Sequence, residues 1–159
     1  MIDAHYISWL RLVAALGCGL MAGLFFSFSA VIMRSLARQP QASGMAVMQT
    51  INVAILNPWF GAAFFGTPFA CVLVIISSLL NWDGARAACS IAGSVLYLIG
   101  GLLVTVLFNI PKNNALEAVE ATAPGAAALW SDYLTSWTRW NHVRSATTFA
   151  AAAFLTISV

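Results

Sequence analysis

Three uncharged apolar stretches, residues 12–33, 59–80 and 87–110, decide what this chain can fold into. Each meets the length of about 20 residues that carries a helix across roughly 30 Å of hydrocarbon. Lipid offers no partner to a backbone N–H or C=O, so such stretches must close their hydrogen bonds internally, as helices or as a barrel. No polar/apolar alternation competes with the helical reading. Hydrophobic residues make up 61% of the 159 residues and charged ones 8%, a balance outside that of soluble domains. The expectation is one all-α membrane domain over residues 1–159. The first stretch follows Arg11 and is longer than the core of a cleaved leader, so it reads as a retained span.

A fourth span is expected at residues 140–159. After Arg144 the chain is too short to cross as a helix. If Val159 lies at the far interface, counting back about 20 residues reaches Arg139 or Trp140 and sinks Asn141, His142 and Arg144 below the membrane edge. The two long connections, residues 34–58 and 111–143, carry apolar and aromatic side chains at helical spacing. Both are expected as amphipathic interfacial helices on one face of a four-helix transmembrane bundle, and no Gly or Pro separates the second from the last span. Gly19 with Gly23, and Ala62, Gly66 and Ala70, are spaced to let helices approach closely, which leaves a homo-oligomer open. Arg34, Arg38, Lys112, Arg139 and Arg144 fall on the side of the long connections, against Arg11 and Arg86 on the other. The termini are therefore expected outside a bacterial inner or plasma membrane.

Up-down threading of four spans gathers Arg34, Asn57, Asn109, Asn113, Asn114, Asn141, His142 and Arg144 at one mouth, with Gln49 and Asn52 above it. An ionisable residue at membrane depth costs several kcal/mol unless paired, so Arg144 and His142 are expected to face the interior. Each has a plainer reading. Asn57-Pro58 and Asn109-Ile110-Pro111 are also helix stop and start signals, and Trp137 and Trp140 suit an interfacial aromatic belt. Arg144 can snorkel to headgroups. His142 reads equally as a hydrogen-bonded interior histidine or as a proton relay, with a metal or haem ligand as a third option.

Several function classes fall away. A net charge of +2 without a basic run excludes nucleic acid. No Asp or Glu lies inside a span, as a proton-coupled exporter would need. His5 and His142 stand at opposite ends, so one chain does not clamp a haem between them. Cys18, Cys71 and Cys89 share no ligand spacing and read as small packing residues.

The blocks Gly-Leu-Phe-Phe-Ser-Phe-Ser (23–29), Met-Gln-Thr-Ile-Asn (48–52), Asn-Pro-Trp-Phe (57–60), Asn-Ile-Pro-Lys-Asn (109–113) and Trp-Thr-Arg-Trp-Asn-His-Val-Arg (137–144) occur in this order. Together they resemble the anthrone oxygenase-like membrane family, over nearly the whole chain. The resemblance implies oxidation of an anthrone to an anthraquinone without a bound cofactor. An anthrone is flat and apolar and suits walls made by Trp137, Trp140, Trp130 and Phe60, reached from the lipid, with Asn57, Asn52, Gln49 and Asn113 at the rim. His142 would take the proton from the activated C–H, and Arg144 with Asn141 or Asn109 would stabilise the oxyanion. The expected function is thus a cofactor-independent oxygenase of anthrone-like substrates. The alternatives are a non-enzymatic binder of a lipophile or partner, and a haem or metal redox protein using His142.

Overall fold

A computed structural model describes residues 4–159. It is helical, with no strand among the described residues. Helix α1 covers residues 4–36, with a π-helical turn at Phe28–Ile32. A short link leads to α2 (Gln41–Ala54) and then α3 (Pro58–Leu80). Helix α4 covers residues 85–117, with π-helical turns at Tyr97–Leu103 and Thr105–Asn109, and α5 is the unbroken Ala126–Ile157.

The helix ends follow local chemistry. Asn57 caps α3, its Oδ1 accepting from the Phe60 N–H at 3.0 Å, and Pro58 takes the first position, where its missing N–H costs nothing. The end of α4 is held from outside: Gln49 Nε2 donates to the carbonyls of Leu116 and Val119, both at 2.8 Å.

Helices α1, α3, α4 and α5 pack in a ring, each against the next and α5 back onto α1. The main core is apolar and small, built from residues such as Ala14, Met21, Phe64, Val74, Tyr97 and Leu155. The outward faces carry Leu16, Leu20, Phe65, Phe69, Leu79 and Ile99, all largely exposed, as a bundle bathed in lipid requires. Three helices, 5–36, 58–80 and 85–117, are long and apolar enough to cross a membrane, the mark of an integral membrane protein.

The second connection and the last span form one helix, as the absence of Gly or Pro between them allows: residues 126–143 are the first part of α5, and residues 110–117 extend α4. One expectation needs correction: Gly19, Gly23 and Gly66 do not sit at helix contacts, since a side chain added at any of them would meet nothing. Close approach occurs instead at Gly17 against Thr67 and at Gly100 against Thr147, where a Cβ would collide with the facing threonine.

At the turn end, buried Arg11 binds both carboxylate oxygens of Asp83, at 3.0 and 3.1 Å, and the Ser158 carbonyl at 3.0 Å. One guanidinium so ties α1 to the α3–α4 turn and to the end of α5. The beside-lying Arg11 holds the Asp83 carboxyl below the usual carboxylate range.

Candidate functional site

The other end of the bundle is hollow. Helix α3 packs on α4 near the Asp83 turn and up to Leu103, and α2 closes over α1, α4 and α5. The space left between α2, the start of α3 and the far part of α4 is a cavity of about 520 Å³, within the range of small-molecule sites. Its walls are chiefly apolar and aromatic, including Phe25, Phe28, Phe60, Phe64 and Trp137, and its rim includes Asn57, Asn114 and Glu117.

Arg144 reaches this cavity from α5 and is 6% exposed. Its Nη1 donates to Thr105 Oγ1 at 3.1 Å and its Nη2 to Asn141 Oδ1. Asn141 is itself fixed, its Nδ2 donating to the Phe25 carbonyl and to Ser29 Oγ, each at 2.7 Å. Because a carbonyl only accepts, Nδ2 must face Phe25, which leaves Oδ1 for the arginine. The guanidinium also lies 4.1 Å from the Phe25 ring centre and 5.2 Å from Trp137, so two π faces help to compensate its lost hydration. An arginine oriented by two hydrogen bonds still has three of its five N–H groups to offer.

From the cavity toward α2 runs a ladder of rings, Trp137 on Tyr133 and Tyr133 on Trp130, with centroids 5.7 Å apart at each step. The Asn113 Oδ1 accepts from Tyr133 Oη at 2.8 Å and from Trp137 Nε1 at 2.7 Å, which sets the face that Trp137 turns to the cavity.

The π-helical turns carry part of this geometry. Phe28, Thr105 and Asn109 all lie on them, and such widened turns occur often at functional sites because they re-aim side chains within a helix.

The structure brings together Arg144, Asn109, Trp137, Phe60, Asn57, Asn52 and Asn113 on the cavity wall, with Asn141 one bond behind. It does not bring His142. That side chain is exposed on the outer face of α5, is absent from the wall, and so cannot reach a molecule held inside. A haem or metal on His142 would sit outside the bundle. No three His, Cys, Asp or Glu side chains converge among the described residues. Trp140 stacks on Phe108 away from the wall, Trp130 is buried in the α2–α5 packing, and Gln49 is spent on the end of α4. Phe25, Phe28, Phe64 and Thr105 join the site although residue type and spacing do not separate them from ordinary span residues. The only signal for Phe25 and Phe28 is their place in the 23–29 block.

No curated protein and no solved structure matches the chain. A family model described as anthrone oxygenase matches residues 56–154, well over half of the sequence, and takes in α3, α4 and most of α5. Two of the three helices whose residues converge on Arg144 lie inside that match, and on this ground the chain belongs to the anthrone oxygenase family.

Proposed function

We propose that this protein is an oxygenase of flat aromatic ketones of the anthrone type, acting in the membrane without a bound cofactor. One observation carries the reading: a cationic side chain, oriented by Asn141 and Thr105, stands in the wall of an aromatic cavity of about 520 Å³ at the end of an apolar bundle. Family membership points the same way.

The ketone enters from the bilayer between α3 and α4, where exposed Phe65 and Ile110 edge the cavity. Its rings lie against Phe25, Phe60 and Trp137, and its carbonyl oxygen takes the free N–H groups of Arg144. A cation at that oxygen favours the enolate over the ketone, so the activated methylene becomes more acidic inside than in solution. The proton leaves toward the rim, where the Glu117 carboxylate stands. The enolate carbon gives electrons to dioxygen, which forms a C–O bond. The resulting hydroperoxide loses water to leave a second carbonyl, so CH₂ and O₂ become C=O and H₂O with all four electrons accounted for. Thr105 and Asn141 are positioning residues in this scheme.

We also propose that all four long helices cross the bilayer. Helix α5 runs beside α1 along its whole length, from Ser158 at Arg11 to Trp137 at Phe28, so a membrane crossed by α1 is crossed by both. Helix α2 then lies at the interface over the cavity. Arg34, Arg38, Lys112 and Arg139 at that end favour the cytoplasm.

The test is oxygen uptake by the purified protein with anthrone as substrate. The reading expects one dioxygen consumed per anthraquinone formed, at a rate proportional to protein. Binding of anthrone without oxygen consumption above the uncatalysed rate would leave a carrier of lipophiles instead.

A further inference from the structure

Two buried nucleophiles take no part in the cavity. Cys18 of α1 and Cys71 of α3 are fully buried, and their Sγ atoms lie 4.0 Å apart, in contact across the helix interface. Residue type and spacing read the cysteines as separate packing residues; only the fold makes these two neighbours. Helices α1 and α3 are tightly packed at this level. Gly17, beside Cys18, abuts Thr67 so closely that a Cβ would collide with its side chain. Side chains projecting from backbones this near need only a short swing to pass from contact to bond.

The surroundings decide what oxidation would make there. Ala14, Met21, Val74 and Tyr97 pack in the same cluster. A lasting S–O–H, or an ionic sulfinate, would be a polar group stranded in an apolar interior, at a cost. A disulfide is uncharged and apolar. The buried Ser94 hydroxyl of α4 adjoins Cys71 and has no other partner among the described residues, so it can hold the oxygen of a sulfenic acid while that intermediate exists.

We propose that Cys18 and Cys71 form a redox-active dithiol that hydrogen peroxide converts to a disulfide, bolting α1 to α3 beneath the cavity. One sulfur attacks a peroxide oxygen, the O–O bond breaks, and water leaves while that sulfur keeps a hydroxyl. The second sulfur displaces the hydroxyl as a second water. Two thiols and H₂O₂ thus give one disulfide and two H₂O, with two electrons passing from sulfur to oxygen. Hydrogen peroxide is small and uncharged, which suits passage through lipid into a core without a solvent opening. Cys18 precedes Phe25, and Phe64 precedes Cys71, by about two helical turns, so the bolt sits on the same helix faces as two rings of the cavity wall.

The test uses the full chain in lipid nanodiscs, reduced, freed of reductant and exposed to excess hydrogen peroxide. The intact mass should fall by two hydrogen masses, and only one of the three thiols should then take a maleimide after unfolding. Tandem mass spectrometry should place the bridge between Cys18 and Cys71. The bridge closes a loop spanning 53 positions, so the melting temperature should rise by on the order of 10 °C and return with reductant. Cys18→Ala should show neither the mass loss nor the rise. Should that variant fail to fold, the located bridge in the unaltered protein decides alone. Three thiols still free after peroxide, a gain of oxygen mass at either cysteine, or a bridge through Cys89 would overturn the proposal, whatever happens to anthrone in the cavity.

Discussion

Replacing Arg144 by methionine isolates the charge from the packing. Met has nearly the reach of the arginine stem and can keep contact with Phe25 and Trp137. Two hydrogen bonds vanish. Thr105 loses nothing essential, because its hydroxyl still donates to the Gly101 carbonyl at 2.6 Å. Asn141 Oδ1 is left unpaired, which costs about 1–3 kcal/mol. Against this, removing a buried cation saves a desolvation penalty of several kcal/mol. The variant should therefore fold, with a melting temperature close to the unaltered protein in the same detergent. Activity should not survive so well. One oriented donor to a developing oxyanion in a water-poor site is worth about 10²–10³ in rate, roughly 3–4 kcal/mol. Oxygen uptake on anthrone should fall by that factor in kcat/KM. Arg144→Lys keeps a charge but has no fork to hold Asn141, Thr105 and the ligand together, so it should recover only about tenfold of the loss. A folded Arg144→Met protein that keeps kcat/KM within about threefold of the unaltered one would refute the electrostatic mechanism.

Other perturbations probe the rest of the molecule. His142→Ala should leave oxygen uptake unchanged within about twofold, because an exposed imidazole touches nothing in the cavity; a loss near the 10²-fold typical of a missing general base would return the proton transfer to His142. The Asp83 carboxyl is held below its ordinary value. Its contribution is therefore full above the unfolded-state value of about 3.9 and is lost as pH falls through the lower folded one. Asp83→Asn should flatten that acid limb of thermal stability and lower stability at neutral pH by about 1 kcal/mol or less, since the carboxylate is partly exposed. Gly100→Val should overpack the α4–α5 contact at Thr147 and cost on the order of 1–3 kcal/mol, read as a lower melting temperature, whereas Gly19→Val should be silent.

The sequence by itself determined the solvent. Runs without charge across residues 12–33, 59–80 and 87–110 leave no other home than lipid, and their backbones no other form than helix. It also determined which end would be polar: up-down threading alone puts Asn57, Asn109, Asn113 and Arg144 at one mouth, and all four meet on the cavity wall. What it could not determine was angle. A depth argument sinks both His142 and Arg144, yet two residues of helix separate them by about 200° around the axis, so one faces in and the other out. Trp137 and Trp140 lie only about 60° apart around the same axis, yet the first lines the site and the second stacks on Phe108 instead. Three π-helical turns interrupt α1 and α4, and Phe28, Thr105 and Asn109 of the cavity wall lie on two of them. The tertiary structure alone decided the direction of each hydrogen bond. Asn109 and Asn141 each lie one way because the Trp137 and Phe25 carbonyls, brought in by other helices, must be met by an N–H, and this turns the Asn141 oxygen to Arg144.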